Sequence, residues 1–275
     1  AVHPVANATP RPRTGTAYLA HSLSRFARIA KILGRDREAA DAEAAHASTV
    51  DAFRRLFVDG GRVTVRSQTA HLMALAFDLV EPGERAAVFG DLLELLAERD
   101  HHLSTGFLGT PLWCDVLTRE GRVDLAYNLL LNETYPGWLF PVTLGATTMW
   151  ERWNSWHPER GFVDLSMNSL NHYAYGAVGD WMHRTIAGID LDLAEDTGPS
   201  LRLAPHPDPR LGTCRASLDS PVGLIESAWS CEDGRVRVEL TAPPGIDVTL
   251  ALPGHAPEAI PAGHLTRMID VPLAR

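Results

Sequence analysis

Apolar residues recur at intervals of three and four along the first two-thirds of the chain. Leu19, Leu23, Phe26, Ala30 and Leu33 step by four, three, four and three, which places them on one face of a helix. Gly34 supplies its C-terminal stop. Val50, Phe53 and Phe57 continue the rhythm up to Asp59-Gly60-Gly61. The spacing predicts further helices over 68–79 and 84–98. In the second, Val88, Leu92 and Leu95 lie beside Phe89, Leu93 and Leu96, a face broad enough to be covered on two sides. Residues 111–118 and 123–131 read as a short-linked helix pair, followed by a loop rich in aromatics and glycine over 133–145. The last helix is expected over 173–189, with Tyr175, Val178, Met182 and Ile186 on one face. About eight helical stretches with short connections are the pattern of stacked antiparallel helix pairs.

The period changes near Glu195. Residues 197–209 are rich in Pro, Asp and Gly. Beyond them, 226–231 and 235–240 alternate apolar and polar positions around Asp233-Gly234, a hairpin signal. Residues 246–252 alternate again after Pro243-Pro244-Gly245. Short strands at this spacing predict a small antiparallel β-sandwich, so the chain divides into a helical part, 1–195, and a β domain, 196–275.

With 45% hydrophobic and 21% charged residues, disordered and fibrous classes are excluded. Lys and Arg number 25 against 34 Asp and Glu, a net charge of −9 with no basic run, which argues against nucleic acid as a partner. No stretch approaches the roughly 18 apolar residues of a membrane span. Cys114, Cys214 and Cys231 are too scattered for a disulfide framework, and residues 1–13 lack the apolar core of a signal peptide. Together these predict a cytoplasmic location.

The chemistry concentrates in 133–172, which holds four of the seven tryptophans: Trp138, Trp150, Trp153 and Trp156. Indoles in a loop at the end of a helical barrel suit the C–H faces of sugar rings; they equally serve to cap a core. Glu151 sits in Trp150-Glu151-Arg152-Trp153. Desolvation by the indoles raises a carboxyl pKa and the neighbouring guanidinium lowers it, a balance that suits a general base acting on water. The same residues also suit a structural Glu151–Arg152 ion pair. His172, in Asn171-His172-Tyr173, is placed to hydrogen-bond a sugar hydroxyl or Glu151, or to cap the helix expected after it; Asn168 and Asn171 read as loop and N-cap residues. No H-E-x-x-H, Cys-x-x-Cys, G-x-S-x-G or P-loop pattern occurs, so neither a metal nor a cofactor is expected. Cys114, beside Trp113, reads as a buried thiol, and His206 and His255 as exposed loop residues.

Five blocks resemble the bacterial α-L-rhamnosidases of glycoside hydrolase family 78. They are Thr105-Gly106-Phe107-Leu108-Gly109-Thr110-Pro111, Ala126-Tyr127-Asn128-Leu129-Leu130, Glu133-Thr134-Tyr135-Pro136-Gly137-Trp138, the stretch from Gly145 to Trp153, and the stretch from Met167 to Gly176. The resemblance starts near Gly15 and runs through the C-terminal sandwich. It implies an (α/α)6 catalytic barrel followed by a β-sandwich, and inverting hydrolysis of terminal α-L-rhamnosides by two carboxyl groups. Glu151 matches the family's general base and His172 a histidine of the rhamnose pocket; Trp138, Trp150 and Trp153 are looser matches for sugar contacts. The family's general acid lies upstream, in a motif with no counterpart before Gly15, and six helix pairs exceed the helices predicted here. The resemblance thus implies a partial barrel that supplies the base while a missing N-terminal part or a complementing chain supplies the acid. Alone, such a chain is expected to be inactive or very weak, with exposed apolar helix faces that favour homodimerisation. The competing expectations are a catalytically incomplete rhamnose-binding or scaffolding module and, less well matched, a glucoamylase-like enzyme.

Overall fold

Small residues, rather than the large apolar ones, form the first helix–helix contact. In α1 (Arg11–Ile32) the packed positions are Ala17, Ala20, Ala27 and Ala30, and in α2 (Asp36–Phe57) they are Ala39, Ala42, Val50 and Phe53. Alanine faces let two 22-residue helices approach closely. The large residues of the predicted α1 stripe lie elsewhere: Leu19 and Phe26 are each 53% exposed and Leu33 is 67% exposed, and Ile29 and Ile32 are exposed with them. The spacing therefore marks a helix correctly, but of the stripe's five residues Ala30 alone is buried.

The computed structural model describes residues 9–163, 166–193, 198–232 and 234–270. The chain folds into two compact units that divide after Gly176; the boundary expected between 195 and 196 lies outside the described residues.

In the first unit a two-residue hairpin, β1 (Val58–Asp59) with β2 (Arg62–Val63), follows α2. Next come α3 (Gln68–Ala76) and α4 (Arg85–Ala97), which pack on each other, then the pair α5 (Trp113–Arg119) and α6 (Val123–Leu130). Ser67 caps α3, its hydroxyl accepting from the Ala70 N–H at 3.2 Å. Seven of α3's nine residues are buried, which makes it the central helix. Its Gln68 side chain is fully used: Nε2 donates to the Leu95 and His102 carbonyls, and Oε1 accepts from the Ser104 N–H, as a buried amide requires. On α4, Val88, Leu92, Leu95 and Leu96 are buried while Phe89 and Leu93 are half-buried, a helix covered over a broad face. Cys114 is buried, and burial pushes its thiol far above the usual range. The region expected as a loop over 133–145 contains a short helix, α7 (Leu139–Thr143), and a small hairpin, β3 (Trp156–His157) with β4 (Gly161–Phe162), follows.

The long helix expected over 173–189 does not form. A 3₁₀ turn (Ala174–Ala177), α8 (Val178–Trp181) and a π-helical turn (Met182–Ile186) replace it, and Ile189 already belongs to a strand. Gly176 and Gly179 weaken the helix from within, and the strands that follow capture its end. Trp229 Nε1 donates to the Ile186 carbonyl at 2.8 Å, and the Ser227 hydroxyl to that of Ala187.

The second unit continues with β5 (Ile189–Asp192), β6 (Ser200–Leu203), β7 (Thr213–Ser220), β8 (Gly223–Glu232), β9 (Arg235–Ala242), β10 (Asp247–Leu250), β11 (Glu258–Ala259) and β12 (Gly263–Ile269). They form two four-stranded sheets, ordered β11-β10-β6-β5 and β12-β9-β8-β7. Neighbours are antiparallel except β6 and β10, which run parallel. The β8–β9 hairpin forms where alternation predicts it, with Glu232 paired to Arg235; of its turn signal, Asp233 lies outside the described residues. Val236, Val238, Leu240 and Ala242 point inward along β9 while Arg235 and Arg237 point out, the half-buried pattern of a sandwich strand. His206, expected as exposed, is half-buried with its ring against the Ala204 carbonyl.

Gly188 has φ +78°, and a Cβ there would lie 2.0 Å from the Pro205 backbone nitrogen. Gly188→Ala is expected to cost at least about 2 kcal/mol, read as a lowered thermal midpoint; an unchanged midpoint contradicts the assignment. His71 is buried in α3, where its Nδ1 meets the Ser67 carbonyl at 2.9 Å. Burial, aided by Arg66 and Arg13, holds its imidazole pKa below the ordinary range. The unfolded chain therefore binds the proton first. This contribution to stability is complete above the unfolded value of about 6.5 and is lost as pH falls below it. The urea midpoint is expected to drop from pH 7.5 to pH 5.5, and to drop less in His71→Asn; an equal drop in both sinks the claim.

Candidate functional site

The segment 145–173 is largely irregular, and its order comes from the chain lying alongside itself. The Glu151 N–H donates to the Ser169 carbonyl at 2.9 Å, and the His172 N–H to the Met149 carbonyl at 2.8 Å. Between them the Thr148 hydroxyl donates to the Leu170 carbonyl. These bonds hold 148–151 against 169–172 and bring Glu151 and His172 onto one local scaffold. Beneath it, fully buried Ser155 takes up backbone groups from both sides: its hydroxyl accepts from the Arg152 N–H, and its carbonyl accepts from Val163 N–H and Asn168 Nδ2.

Glu151 is half-buried. Its Oε2 accepts from the Ser169 N–H at 2.7 Å, so Glu151 and Ser169 clasp each other through two bonds. A carboxylate oxygen held by a backbone donor is fixed in direction. Oε1 makes no hydrogen bond among the described residues, which leaves it able to accept one from water.

His172 is half-buried, and its Nδ1 accepts from the Ala174 N–H at 3.2 Å. A neutral imidazole that accepts at Nδ1 carries its proton on Nε2. The ring is stacked on Phe107 at 4.9 Å and 20°, and lies nearly parallel to Tyr173, itself 83% exposed.

Trp138, Trp150 and Trp153 are 5%, 5% and 6% exposed, so within this chain they are packed residues. Trp153 lies flat on Tyr175, with centroids 3.8 Å apart and planes 3° from parallel, and meets Trp138 edge-on at 5.6 Å. Trp138 Nε1 closes the group by donating to the Tyr175 carbonyl at 2.9 Å. Tyr175 in turn meets the edge of Phe107 at 5.8 Å. Burial foremost, then the Tyr135 hydroxyl, pushes the Tyr175 phenol up to about 12, so it stays protonated across the working range. One continuous array, Trp138–Trp153–Tyr175–Phe107–His172, thus connects the residue two after Glu151 to the histidine. Trp153 Nε1 and Asn168 Oδ1 are buried without hydrogen-bond partners among the described residues.

The sequence pattern singles out Glu151, His172 and the indoles; the contacts that Ser169, Phe107 and Tyr175 make with them come from the structure alone. Ser169 acts through its backbone, and Phe107 lies in a turn with no periodic signal. Tyr175 looked like one position of a helix face, a pattern that hides a stacking partner. Among the described residues no group of three or more His, Cys, Asp and Glu side chains could hold a metal, and no helix is long and apolar enough to cross a membrane.

Comparison with known proteins gives the geometry its context. The bacterial alpha-L-rhamnosidase 6 hairpin glycosidase domain matches residues 2–186, and the bacterial alpha-L-rhamnosidase C-terminal domain matches residues 200–266. An alpha-L-rhamnosidase of Formosa agariphila is 41% identical over 248 residues, which cover 90% of this chain and 27% of that protein. The crystal structure of Streptomyces avermitilis alpha-L-rhamnosidase complexed with L-rhamnose superposes with a TM-score of 0.88 at 34% identity, covering 96% of this chain and 27% of that one. The alpha-L-rhamnosidase of Aspergillus terreus follows with a TM-score of 0.84 at 28% identity, covering 92% of this chain and 30% of that one. The chain spans about a quarter of the length of the curated relatives it matches. With the helical unit, the β domain and nearly the whole sequence accounted for, the chain belongs to the bacterial α-L-rhamnosidase family.

Proposed function

We propose that this chain carries the general-base side of an inverting α-L-rhamnoside hydrolase, with Glu151 as the base. The observation that carries the reading is the clasp between Glu151 and Ser169, which directs one carboxylate oxygen while the other remains able to accept a proton. In the proposed step Glu151 Oε1 takes a proton from water as the water oxygen attacks the anomeric carbon. The glycosidic C–O bond breaks on the opposite face, and its oxygen takes a proton from a carboxyl outside this chain. Inversion needs the two carboxyls about 6.5–9.5 Å apart, so that water fits between them. His172, donating from Nε2, holds a sugar hydroxyl. Trp138, Trp150 and Trp153 act from behind the sugar subsite, where they exclude water and keep the two loop segments in register.

The test is release of nitrophenol from p-nitrophenyl α-L-rhamnoside, a substrate whose leaving group needs little acid assistance. Turnover by the chain is expected to be weak, and Glu151→Gln is expected to lower it by about 10²-fold or more. Equal turnover by the two proteins refutes the assignment of Glu151 as base.

The partner reading rests on α1. Its outer face presents Leu19, Phe26, Ile29, Ile32 and Leu33, a larger apolar stripe than a solvated helix carries. We infer that the rest of the enzyme, or a second copy of this chain where the rest is absent, covers that face. Sedimentation is expected to show self-association that Phe26→Ser with Leu33→Ser reduces. A monomer that binds no apolar-surface dye contradicts the inference.

A further inference from the structure

The turn at 105–111 is held more firmly than a connection between helices requires. Gly109 and Thr110 N–H groups both donate to the Gly106 carbonyl, at 3.2 and 2.9 Å. The buried hydroxyls of Thr105 and Thr110 meet at 2.8 Å, and that of Thr110 also reaches the Thr105 carbonyl at 3.1 Å. Gly109 fits too closely for a side chain: a Cβ would lie 2.8 Å from Thr69 Oγ1 and 2.9 Å from Thr105 Cγ2. From α1, the Tyr18 hydroxyl donates to the Leu108 carbonyl at 3.1 Å. Phe107 is thereby presented from a backbone with little room to drift.

What Phe107 touches gives this rigidity a use. Its ring lies 4.9 Å from the His172 imidazole at 20°, and its edge is braced by Tyr175. The ring plane of His172 is set by Phe107, and its rotation within that plane by the Ala174 N–H on Nδ1. Nε2 makes no hydrogen bond among the described residues. A donor oriented before the ligand arrives binds without the cost of ordering it.

We propose that Phe107 is a positioning residue for His172, and that the 105–111 turn exists to seat the imidazole with its Nε2–H aimed at a sugar hydroxyl. The proposal rests on the reading of His172 as a sugar ligand, and its test separates the two. In the chain labelled with ¹⁵N-histidine, long-range ¹H–¹⁵N correlation at about pH 8.5, above the ordinary imidazole range, reports each tautomer. His172→Gln identifies the His172 signals. They are expected to show the Nε2–H tautomer, with carbon-bound ring protons displaced upfield by the Phe107 ring. Phe107→Leu is expected to lose that displacement and mix the tautomers, whereas Phe107→Tyr retains both features. Gly109→Ala, which removes no ring but crowds the turn and so displaces Phe107, is expected to move the same signals and decides the matter if Phe107→Leu does not fold.

L-Rhamnose titration supplies the second arm. Phe107→Leu is expected to weaken binding about 10-fold, the scale of one well-placed hydrogen bond, and Phe107→Tyr to restore it. His172 signals unchanged in both Phe107→Leu and Gly109→Ala overturn the positioning role, whatever the sugar does. Signals that move while His172→Gln binds L-rhamnose as well as the parent leave the seating intact and overturn the sugar contact.

Discussion

The stack of Trp153 on Tyr175 is the contact on which the candidate site depends. The described residues of 145–173 contain a single two-stranded hairpin and no helix, so their geometry is not inherited from regular structure. A backbone of this kind holds one conformation when its polar groups are paired and its apolar rings are buried. Both conditions are met here by few residues. Ser155 and the clasp between Glu151 and Ser169 take up the backbone groups. The indoles of Trp138 and Trp153, closed on Tyr175, provide the buried area. Aromatic pairs contribute roughly 0.5–1.5 kcal/mol beyond the area they bury, and in this array each ring braces the next.

This arrangement gives the tryptophans a different place from the one their types suggest. Trp-rich loops near a carboxylate invite the picture of indoles lying against sugar. With exposures of 5–6%, Trp138, Trp150 and Trp153 offer a ligand little surface from within this chain. They form the packed backing for the segments that carry Glu151 and His172, the two groups proposed to meet the substrate. Tyr173, whose ring lies nearly parallel to that of His172, is exposed.

Elements whose stabilising contacts repeat along the chain were legible in the sequence. The helices α4 to α6 and the hairpin β8–β9 stand where the apolar period predicts them, because each buries a regular face. Elements governed by contacts distant in sequence were not. The stripe on α1 has helical spacing, yet alanines make the contact with α2 and most of the large residues face outward. The period through Tyr175, Val178, Met182 and Ile186 suggested one helix, but glycines inside it and the capture of the Ile186 and Ala187 carbonyls by Trp229 and Ser227 break it into shorter turns. In the candidate site, Glu151 stood out by its neighbours in sequence and His172 by the block of residues that resembles the rhamnosidases. Phe107, more than forty residues upstream of Trp150, carries no local sign that its ring lies under an imidazole.

In the proposed mechanism Glu151 activates the attacking nucleophile on the face opposite the leaving group. Azide rescue of Glu151→Ala with p-nitrophenyl α-L-rhamnoside tests it most directly, since azide attacks without needing a base. The variant is expected to be inert in buffer and to regain nitrophenol release with azide, yielding the β-L-rhamnosyl azide. Formation of the α-azide, or a variant that hydrolyses the substrate as fast as the parent without azide, would contradict it.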